Sequence, residues 1–292
     1  MPSKKTAAPM RAKRSVSSVR IGTCYLRLDV PRIMGIVNNT PDSFSGDGTQ
    51  GDAQAAIKRG IAMFQKGADI VDVGGESTRP RAEAVPVEVE LARTISVVEA
   101  LNEFRPGRVS IDTMKPQVAE AALFAGASIV NDVSGLRDKR MIEVVAEHGA
   151  SVIIMHMKGE PKTMQVSPRY TDVVSDIKEY LSTRVAEAER AGIGARSIMV
   201  DPGIGFGKTL DHNLEIISRL RELKTLGKPI VVGLSRKAFI GKIAGAPVGE
   251  RTVGSVVAAV IAVRNGADIV RVHDVVETRQ GLAIAAALVS RA

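Results

Sequence analysis

Eight short apolar runs rich in β-branched residues recur along the chain, and each is followed by a stretch with helical spacing. The runs occupy residues 33–37, 70–71, 109–111, 128–130, 152–155, 198–200, 230–234 and 269–272. This alternation predicts parallel strands with helices outside them, and eight repeats without a linker favour a closed barrel over an open sheet. The sequence therefore predicts an α/β fold of the (β/α)8 TIM-barrel type.

The helical stretches predicted after these runs are 53–65, 85–104, 117–124, 141–148, 171–191, 212–223, 252–263 and 276–290. Residues 21–292 are predicted to form one barrel domain, with 23–28 as a strand or hairpin arm that closes one end. Gly-Ala followed by Asp or Ser occurs at 67–69, 126–128 and 266–268. We interpret it as one helix-to-strand turn used three times, without a catalytic role.

The N-terminal segment accounts for most of the net charge. Residues 1–20 contain six Lys or Arg and no acid, whereas the whole chain has a net charge of +8, so the remainder carries only +2. This distribution disfavours nucleic-acid binding by the folded part. The composition of the segment predicts a disordered tail rather than an organelle-targeting signal.

The cysteine content excludes a disulfide-stabilised protein, and the length of the apolar runs excludes a membrane-spanning one. Cys24 is the only cysteine, so an internal disulfide is excluded and a reducing, cytoplasmic location is predicted. Apolar runs such as 256–263 and 283–289 are far shorter than the ~20 residues that a membrane-spanning helix needs. No membrane partner is therefore expected.

A polar residue stands at or just after the end of each predicted strand. These residues are Asn38, Asp72, Asp112, Asn131, His156, Asp201, Ser235 and His273. Active sites of such barrels lie at the carboxyl ends of the strands. The pattern therefore predicts a single site at that end.

Part of this site is predicted to bind a flat heterocycle such as a pterin or a purine. Buried carboxylate, amide and amine groups can pair with the N–H donors and ring acceptors of such a molecule. The residues concerned are Asp112, Asn131, Asp201 and Lys237. Met155 and Phe206 could form apolar faces above and below the ring, although such residues are more often part of the core.

An anion site is predicted beside it. Ser235-Arg236-Lys237 follows the seventh strand, and Arg271 and His273 lie at the end of the eighth. Barrel enzymes often bind phosphate between these two loops, and the cations would supply charge to it. Either Arg236 or Lys237 alone would be interpreted as a solvated cation at a helix start, but the cluster favours the anion site.

Two other sites are disfavoured. Residues 202–209 resemble a phosphate-binding P-loop, but Pro202 replaces the first glycine and removes a backbone donor. The four histidines are not spaced as metal ligands, so a zinc site is not expected.

Eight motifs together resemble the loop signatures of the dihydropteroate synthase family. They lie at 34–45, 72–80, 110–113, 131–133, 155–157, 201–208, 235–237 and 271–275, all in the family's order, and the resemblance extends from Ile33 onward. It implies a transferase of folate biosynthesis. Such an enzyme condenses 6-hydroxymethyl-7,8-dihydropterin diphosphate with p-aminobenzoate to give dihydropteroate and pyrophosphate.

The resemblance also implies residue roles, a metal ion and an assembly state. The pterin would be bound by Asp112, Asn131, Asp201 and Lys237, and the diphosphate by Asn38, Arg271 and His273. Asn38 would also be a ligand of Mg²⁺, while Phe44, Thr78, Arg79, Pro80 and Ser235 would shape the p-aminobenzoate site. Among these residues Asp112, Lys237, Arg271 and His273 are the expected catalytic groups. A homodimer and competition by 4-aminobenzenesulfonamides are further expectations.

Two departures from the family pattern leave alternatives open. The acid after the first-loop phenylalanine is shifted by one place to Asp47, and Arg81 replaces a glycine in the second loop. A non-catalytic pterin-binding relative would bind pterin diphosphate but turn it over negligibly. A methyltetrahydrofolate:corrinoid methyltransferase, which has the same fold, would need no second anion site, so Arg271 and His273 count against it.

Overall fold

The computed structural model describes residues 16–40, 51–77, 84–160 and 163–289. Its strands are β1 (Ser18–Ile21), β2 (Cys24–Arg27), β3 (Arg32–Asn38), β4 (Ile70–Gly74), β5 (Val109–Asp112), β6 (Ile129–Asp132), β7 (Ser151–Met155), β8 (Ile198–Asp201), β9 (Val231–Gly233) and β10 (Ile269–Val272). Its α-helices are α1 (Ala53–Gln65), α2 (Val87–Phe104), α3 (Pro116–Phe124), α4 (Lys139–Glu147), α5 (Val173–Arg190), α6 (Leu210–Ser218), α7 (Ala238–Ala244), α8 (Thr252–Arg264) and α9 (Val275–Val289). Short 3-10 helices span Ala195–Ser197, Leu220–Leu226 and Val248–Glu250.

Eight parallel strands form the barrel, as the sequence predicts. Their order is β8-β7-β6-β5-β4-β3-β10-β9. A parallel bridge between Val200 and Ile230 joins the two outer strands and closes the ring. The predicted TIM barrel is therefore confirmed, with all strand ends that carry polar residues at one face.

The repeated Gly-Ala turn has the geometry of a helix C-terminus followed by a strand. Gly67, Gly126 and Gly266 have φ values of +101°, +104° and +119°. At the first of them, the N–H of Gly67 donates to Phe64 and that of Ala68 to Met63, which satisfies two carbonyls at the end of α1. The structural interpretation of this repeat agrees with these bonds.

Helix α7 is the main difference from the predicted helices. It occupies seven residues between β9 and α8, in addition to the eight helices expected from the periodicity. Such a short helix falls below the length at which periodicity is informative. It begins directly after Lys237.

The hairpin of β1 and β2 closes the amino-terminal end of the barrel. Its apolar residues Val19, Ile21, Leu26 and Leu28 pack on the lowest layer of barrel side chains. The hydroxyl of Ser151, at the start of β7, donates to the carbonyl of Arg20. Strand β1 begins at Ser18, inside the segment 1–20 that was predicted as a tail, and residues 1–15 lie outside the described residues.

Within the described residues, no helix combines the length and the apolar character needed to cross a membrane.

Candidate active site

On four of the strands, the inward-facing side chains of the barrel change from apolar to polar within two residues. Seven strands contribute one residue each to an apolar cluster at the closed end: Met34, Ile70, Ile129, Ile153, Met199, Val231 and Ile269. Inward side chains recur every second residue along a strand. The next inward positions on β4, β6, β8 and β10 are Asp72, Asn131, Asp201 and Arg271. Alternate strands of such barrels contribute to one layer, so these four residues form a polar layer above the apolar one.

Arg271 joins this layer to Asp112 of β5. Its Nε donates to Asp72 Oδ2 at 2.6 Å, and its Nη2 donates to Asp112 Oδ2 at 2.6 Å. Asn131 Nδ2 donates to the same oxygen of Asp72 at 2.9 Å. One guanidinium therefore serves two buried carboxylates, and charge-assisted bonds of this length are the stronger class of hydrogen bond.

Asp112 has an oxygen available to a ligand. Its Oδ1 is buried and has no hydrogen-bond partner within the described residues. Burial raises the pKa of Asp112 to about 7, although Arg271 opposes the rise, and the nearby Asp72 adds to it. A buried acceptor without a partner is unfavourable by itself, so the site is suited to a bound molecule that donates hydrogen bonds.

Asp201, at the end of β8, and Lys237, after β9, lie across the barrel from Asp112. We call Asp112, Asn131, Asp201 and Lys237 the floor of the site. Asp201 Oδ1 accepts a bond from the N–H of Gly203 at 2.7 Å, and burial raises the pKa of its carboxyl while Lys237 opposes the rise. Lys237 Nζ donates to the carbonyl of Ile204 and lies 4.8 Å from the ring centroid of Phe206. Burial lowers the pKa of Lys237 to about 8, partly offset by Asp201.

The rim of the site contains the end of β10 and the loop after β9. His273 Nδ1 and Ser235 Oγ are 2.9 Å apart, and the N–H of His273 donates to the same hydroxyl. Arg236, expected near the anion, instead pairs with Asp274 through Nε at 3.1 Å and Nη2 at 2.6 Å. This ion pair ties the loop after β9 to the residue after His273.

These groups open into one cavity of about 620 Å³ at the carboxyl ends of the strands. The predicted residues that line it are Asn38, Asp112, Phe206, Ser235, Lys237, Arg271 and His273. Asn131 and Asp201 are buried in the polar layer. Met155 packs with Met114, Met157, Met164, Val133 and Phe206 in a small apolar cluster. The structure therefore brings the pterin and anion residues predicted from the sequence together, with Met155 beside Phe206.

Comparison with known proteins assigns this constellation to a family. The model of the pterin-binding enzyme family matches residues 34–273. Dihydropteroate synthase of Escherichia coli (strain K12) is 45% identical over 265 residues, which cover 91% of this chain and 94% of that protein. The chain belongs to the dihydropteroate synthase family.

Solved structures of the family agree with this assignment. The chain aligns with a Yersinia pestis dihydropteroate synthase in a sulfonamide drug complex at a TM-score of 0.90 and 40% identity, covering 94% of this chain and 99% of that one. It aligns with a Xanthomonas albilineans dihydropteroate synthase in complex with 7,8-dihydropteroate at a TM-score of 0.83 and 41% identity, covering 93% and 98%. The family, the fold and the transferase class predicted from the sequence are confirmed.

Part of the predicted p-aminobenzoate site lies outside the described residues. Phe44, Thr78, Arg79 and Pro80 belong to the segments 41–50 and 78–83, as do Asp47 and Arg81, which depart from the family pattern. Their roles stay predictions. Of the p-aminobenzoate residues named above, Ser235 is described, and it lies beside His273.

Two functional groups were missed by sequence reasoning. Asp72 was recognised as a strand-end residue but given no role, although it pairs with Arg271. Lys208 lies in the motif 201–208 and in the P-loop-like stretch, but the sequence assigns it no role of its own. It is buried, lies 2.9 Å from His156 Nδ1 and donates to the carbonyl of Phe206 at 2.9 Å, which fastens the loops after β7 and β8 together. Both residues lie in the motifs 72–80 and 201–208, but neither motif indicates their partners.

Burial favours the neutral form of His156, which lies beside Lys208. Desolvation, with the nearby Lys208, lowers the pKa of His156 to about 2, so its ring is neutral near pH 7. Desolvation also lowers the pKa of Lys208 well below its usual value. The pair therefore forms a hydrogen-bonded link between the loops after β7 and β8.

Proposed function

We propose that this chain catalyses the condensation of 6-hydroxymethyl-7,8-dihydropterin diphosphate with p-aminobenzoate to 7,8-dihydropteroate and pyrophosphate. The observation that carries the proposal is that Asp112, with an unpartnered oxygen, and the cation Arg271 line one cavity. A ring with N–H donors and a diphosphate can therefore lie side by side. The relatives named above bear the same activity in their names.

The residues of the floor would hold the pterin ring. Asp112 and Asp201 are acceptors for its N–H groups, Asn131 offers an amide, and Lys237 is a donor for a ring acceptor. Phe206, beside Lys237, would cover one face of the ring. At the rim, Arg271 and His273 would bind the diphosphate, because both line the cavity next to the floor residues.

The chemistry follows from this placement. The bond that breaks joins the CH₂ carbon to a diphosphate oxygen, and the pterin ring can delocalise the positive charge that develops on that carbon. Asp112 and Asp201 stabilise the charge on the ring, and Arg271 and His273 stabilise the charge on the leaving group. The neutral aniline nitrogen of p-aminobenzoate is already nucleophilic, so positioning rather than a dedicated base brings it to the CH₂ carbon. The C–N bond forms as the C–O bond breaks, and the proton that the new ammonium loses passes to the released pyrophosphate or to water.

Mg²⁺ binding at Asn38 is part of the proposal. No three His, Cys, Asp or Glu side chains within the described ranges are grouped so that they alone could hold a metal ion. Mg²⁺ often takes one or two protein oxygens and completes its octahedron with phosphate oxygens and water. Asn38 ends β3 at the mouth and lines the cavity, so its amide oxygen fits that coordination. Bound Mg²⁺ would neutralise negative charge on the diphosphate.

Pyrophosphate release tests this function. We expect release from pterin diphosphate only when p-aminobenzoate is present, with a rate that falls when Mg²⁺ is chelated. A non-catalytic relative would bind pterin diphosphate in a calorimeter without releasing pyrophosphate, and a corrinoid methyltransferase would do neither. We also expect 4-aminobenzenesulfonamides to compete with p-aminobenzoate, and noncompetitive inhibition would contradict the shared site.

The dependence of kcat/KM on pH tests the floor residues. Asp112 must be ionised to accept from the ring, which favours pH above its pKa of about 7. Lys237 must be protonated to act as a cation, which favours pH below its pKa of about 8. We therefore expect kcat/KM for pterin diphosphate to rise through the first value and fall through the second, because this ratio reports the free enzyme. In Asp112→Asn the acid limb should disappear, and a level wild-type profile from about pH 6 to about pH 9 would contradict the assignment.

We also propose that the enzyme is a homodimer and is cytoplasmic. An apolar groove of about 460 Å³ runs between α6, α7 and α8, lined by Leu214, Ile217, Ile240, Ile243, Val257 and Ile261 among others. Val253, next to it on α8, is 75% exposed. Exposed apolar surface of this kind favours association, and a second copy presents the same helices. Sedimentation equilibrium at the mass of one chain would contradict the dimer.

The proposed cytoplasmic location is supported by the single cysteine, which suits a reducing compartment.

A further inference from the structure

Asp72 is a buried carboxylate that is not among the residues lining the cavity. It lies in the middle of β4 and is 0% exposed. Its Oδ2 accepts two bonds, one from Arg271 on β10 and one from Asn131 on β6. Both partners are residues of the proposed substrate site, and Asp72 connects them across the barrel.

The second oxygen of Asp72 argues against a purely structural role. Asp72 Oδ1 is buried and has no hydrogen-bond partner within the part of the chain that the structure describes. A half-paired carboxylate is a poor choice for stability, because burying a charge is unfavourable unless its hydrogen bonds are made. An apolar residue would suit the barrel interior better if packing were its only task.

The contacts of Arg271 explain what Asp72 contributes. The terminal Nη2 of Arg271 pairs with Asp112, which lines the cavity and would exchange partners when a substrate binds. Its Nε pairs with Asp72, which is 0% exposed in the middle of β4, whereas Asn131 and Asp201, nearer the ends of their strands, are 5% and 7% exposed. The bond at Nε therefore fixes one side of the guanidinium, while Nη2 can exchange its partner when a ligand binds. A long side chain held in this way loses less conformational freedom on binding.

We propose that Asp72 is a positioning residue, which orients Arg271 and Asn131 for the bound pterin diphosphate without touching it. This inference rests on the proposed function. In Asp72→Asn the side chain keeps its shape and one acceptor but loses its charge. We expect KM for pterin diphosphate to rise about tenfold, since a bond between charged groups is weakened, while KM for p-aminobenzoate changes less than about twofold. Because the burial cost of one carboxylate is removed while Arg271 keeps its pair with Asp112, Tm should change little.

A double-mutant cycle tests whether Asp72 acts through Arg271. Arg271→Lys lacks the Nε donor, so adding Asp72→Asn to it should change KM for pterin diphosphate by less than about twofold. Additive effects of the two substitutions, or a fall in Tm that accounts for the lost activity, would overturn the proposal. Ser110→Ala is the matched control, because Ser110 pairs with Asp72 in the sheet and is buried, and its Oγ has no partner among the described residues. Its kinetics should match the wild type.

A second measurement needs no variant of Asp72. In NMR spectra of the wild-type protein, one Arg Nε–H signal should be protected from solvent exchange, disappear in Arg271→Lys and persist when pterin diphosphate is added. The absence of such a signal, or its loss on binding, would overturn the proposal even if Asp72→Asn does not fold. If the wild type and Ser110→Ala both fail to release pyrophosphate, the proposed function fails instead, and the NMR result alone then decides the role of Asp72.

Discussion

Alanine in place of Gly203 is expected to destabilise the enzyme more than any other substitution considered. Gly203 has a φ of +69°, and a Cβ there would lie 1.9 Å from the carbonyl oxygen of His156. Both sides of this contact are backbone, so neither can rotate away, and the loops after β7 and β8 would have to separate. We expect the free energy of unfolding to fall by more than about 4 kcal/mol, at the upper end of single substitutions, as measured by urea denaturation.

Gly149→Ala is the matched control for this substitution. Gly149 also has a positive φ, +57°, but a Cβ at this position meets nothing within 4 Å. It should therefore lose only the conformational term, about 1–2 kcal/mol. Equal losses in the two variants would show that backbone strain, and not the close approach of the two loops, requires glycine at 203.

Lys237→Ala is expected to weaken binding of pterin diphosphate by ~1–3 kcal/mol, as measured by calorimetry. The substitution removes a half-buried donor that bonds Ile204 and offsets the charge of Asp201. Loss of Lys237 leaves Asp201 without that nearby cation, so the variant should also bind pterin analogues that lack the diphosphate more weakly. An unchanged affinity would show that the pterin lies elsewhere.

Lys242→Ala provides the comparison for Lys237→Ala. Lys242 lines the same cavity but is exposed on α7. Exposed charges contribute little to binding energy compared with buried ones. We therefore expect a change in affinity of less than about 0.5 kcal/mol for this variant. A loss as large as that of Lys237→Ala would mean that overall positive charge, and not the half-buried donor Lys237, controls binding.

The sequence was most informative where the period of the strands sets the direction of side chains. Asp112 and Asp201 could be placed at one end of a barrel because each ends a buried β-branched run, and the structure places them there. Arg271 could be assigned to the site for the same reason. Local patterning suffices for such residues, since the barrel itself brings strand ends together.

Partners that are distant along the chain could not be predicted. Arg271 and Asp72 are 199 residues apart, and their contact depends on the stagger of β10 against β3 and β4, which no local pattern encodes. Strand β4 also extends two residues beyond Asp72 to Gly74, so Asp72 lies inside the barrel rather than at its tip. The ion pair between Arg236 and Asp274 could not be predicted either, because Asp274 follows another strand.

The hairpin at the closed end of the barrel sets a limit on N-terminal truncation. Removing residues 1–15 leaves β1 intact, whereas a deletion that continues through Ile21 removes Val19 and Ile21 from the apolar cluster at the closed end of the barrel. Water would then reach the underside of the layer that supports Asn131 and Asp201. An enzyme shortened by those few extra residues should therefore bind the pterin more weakly, although all the residues proposed to contact the pterin are still present.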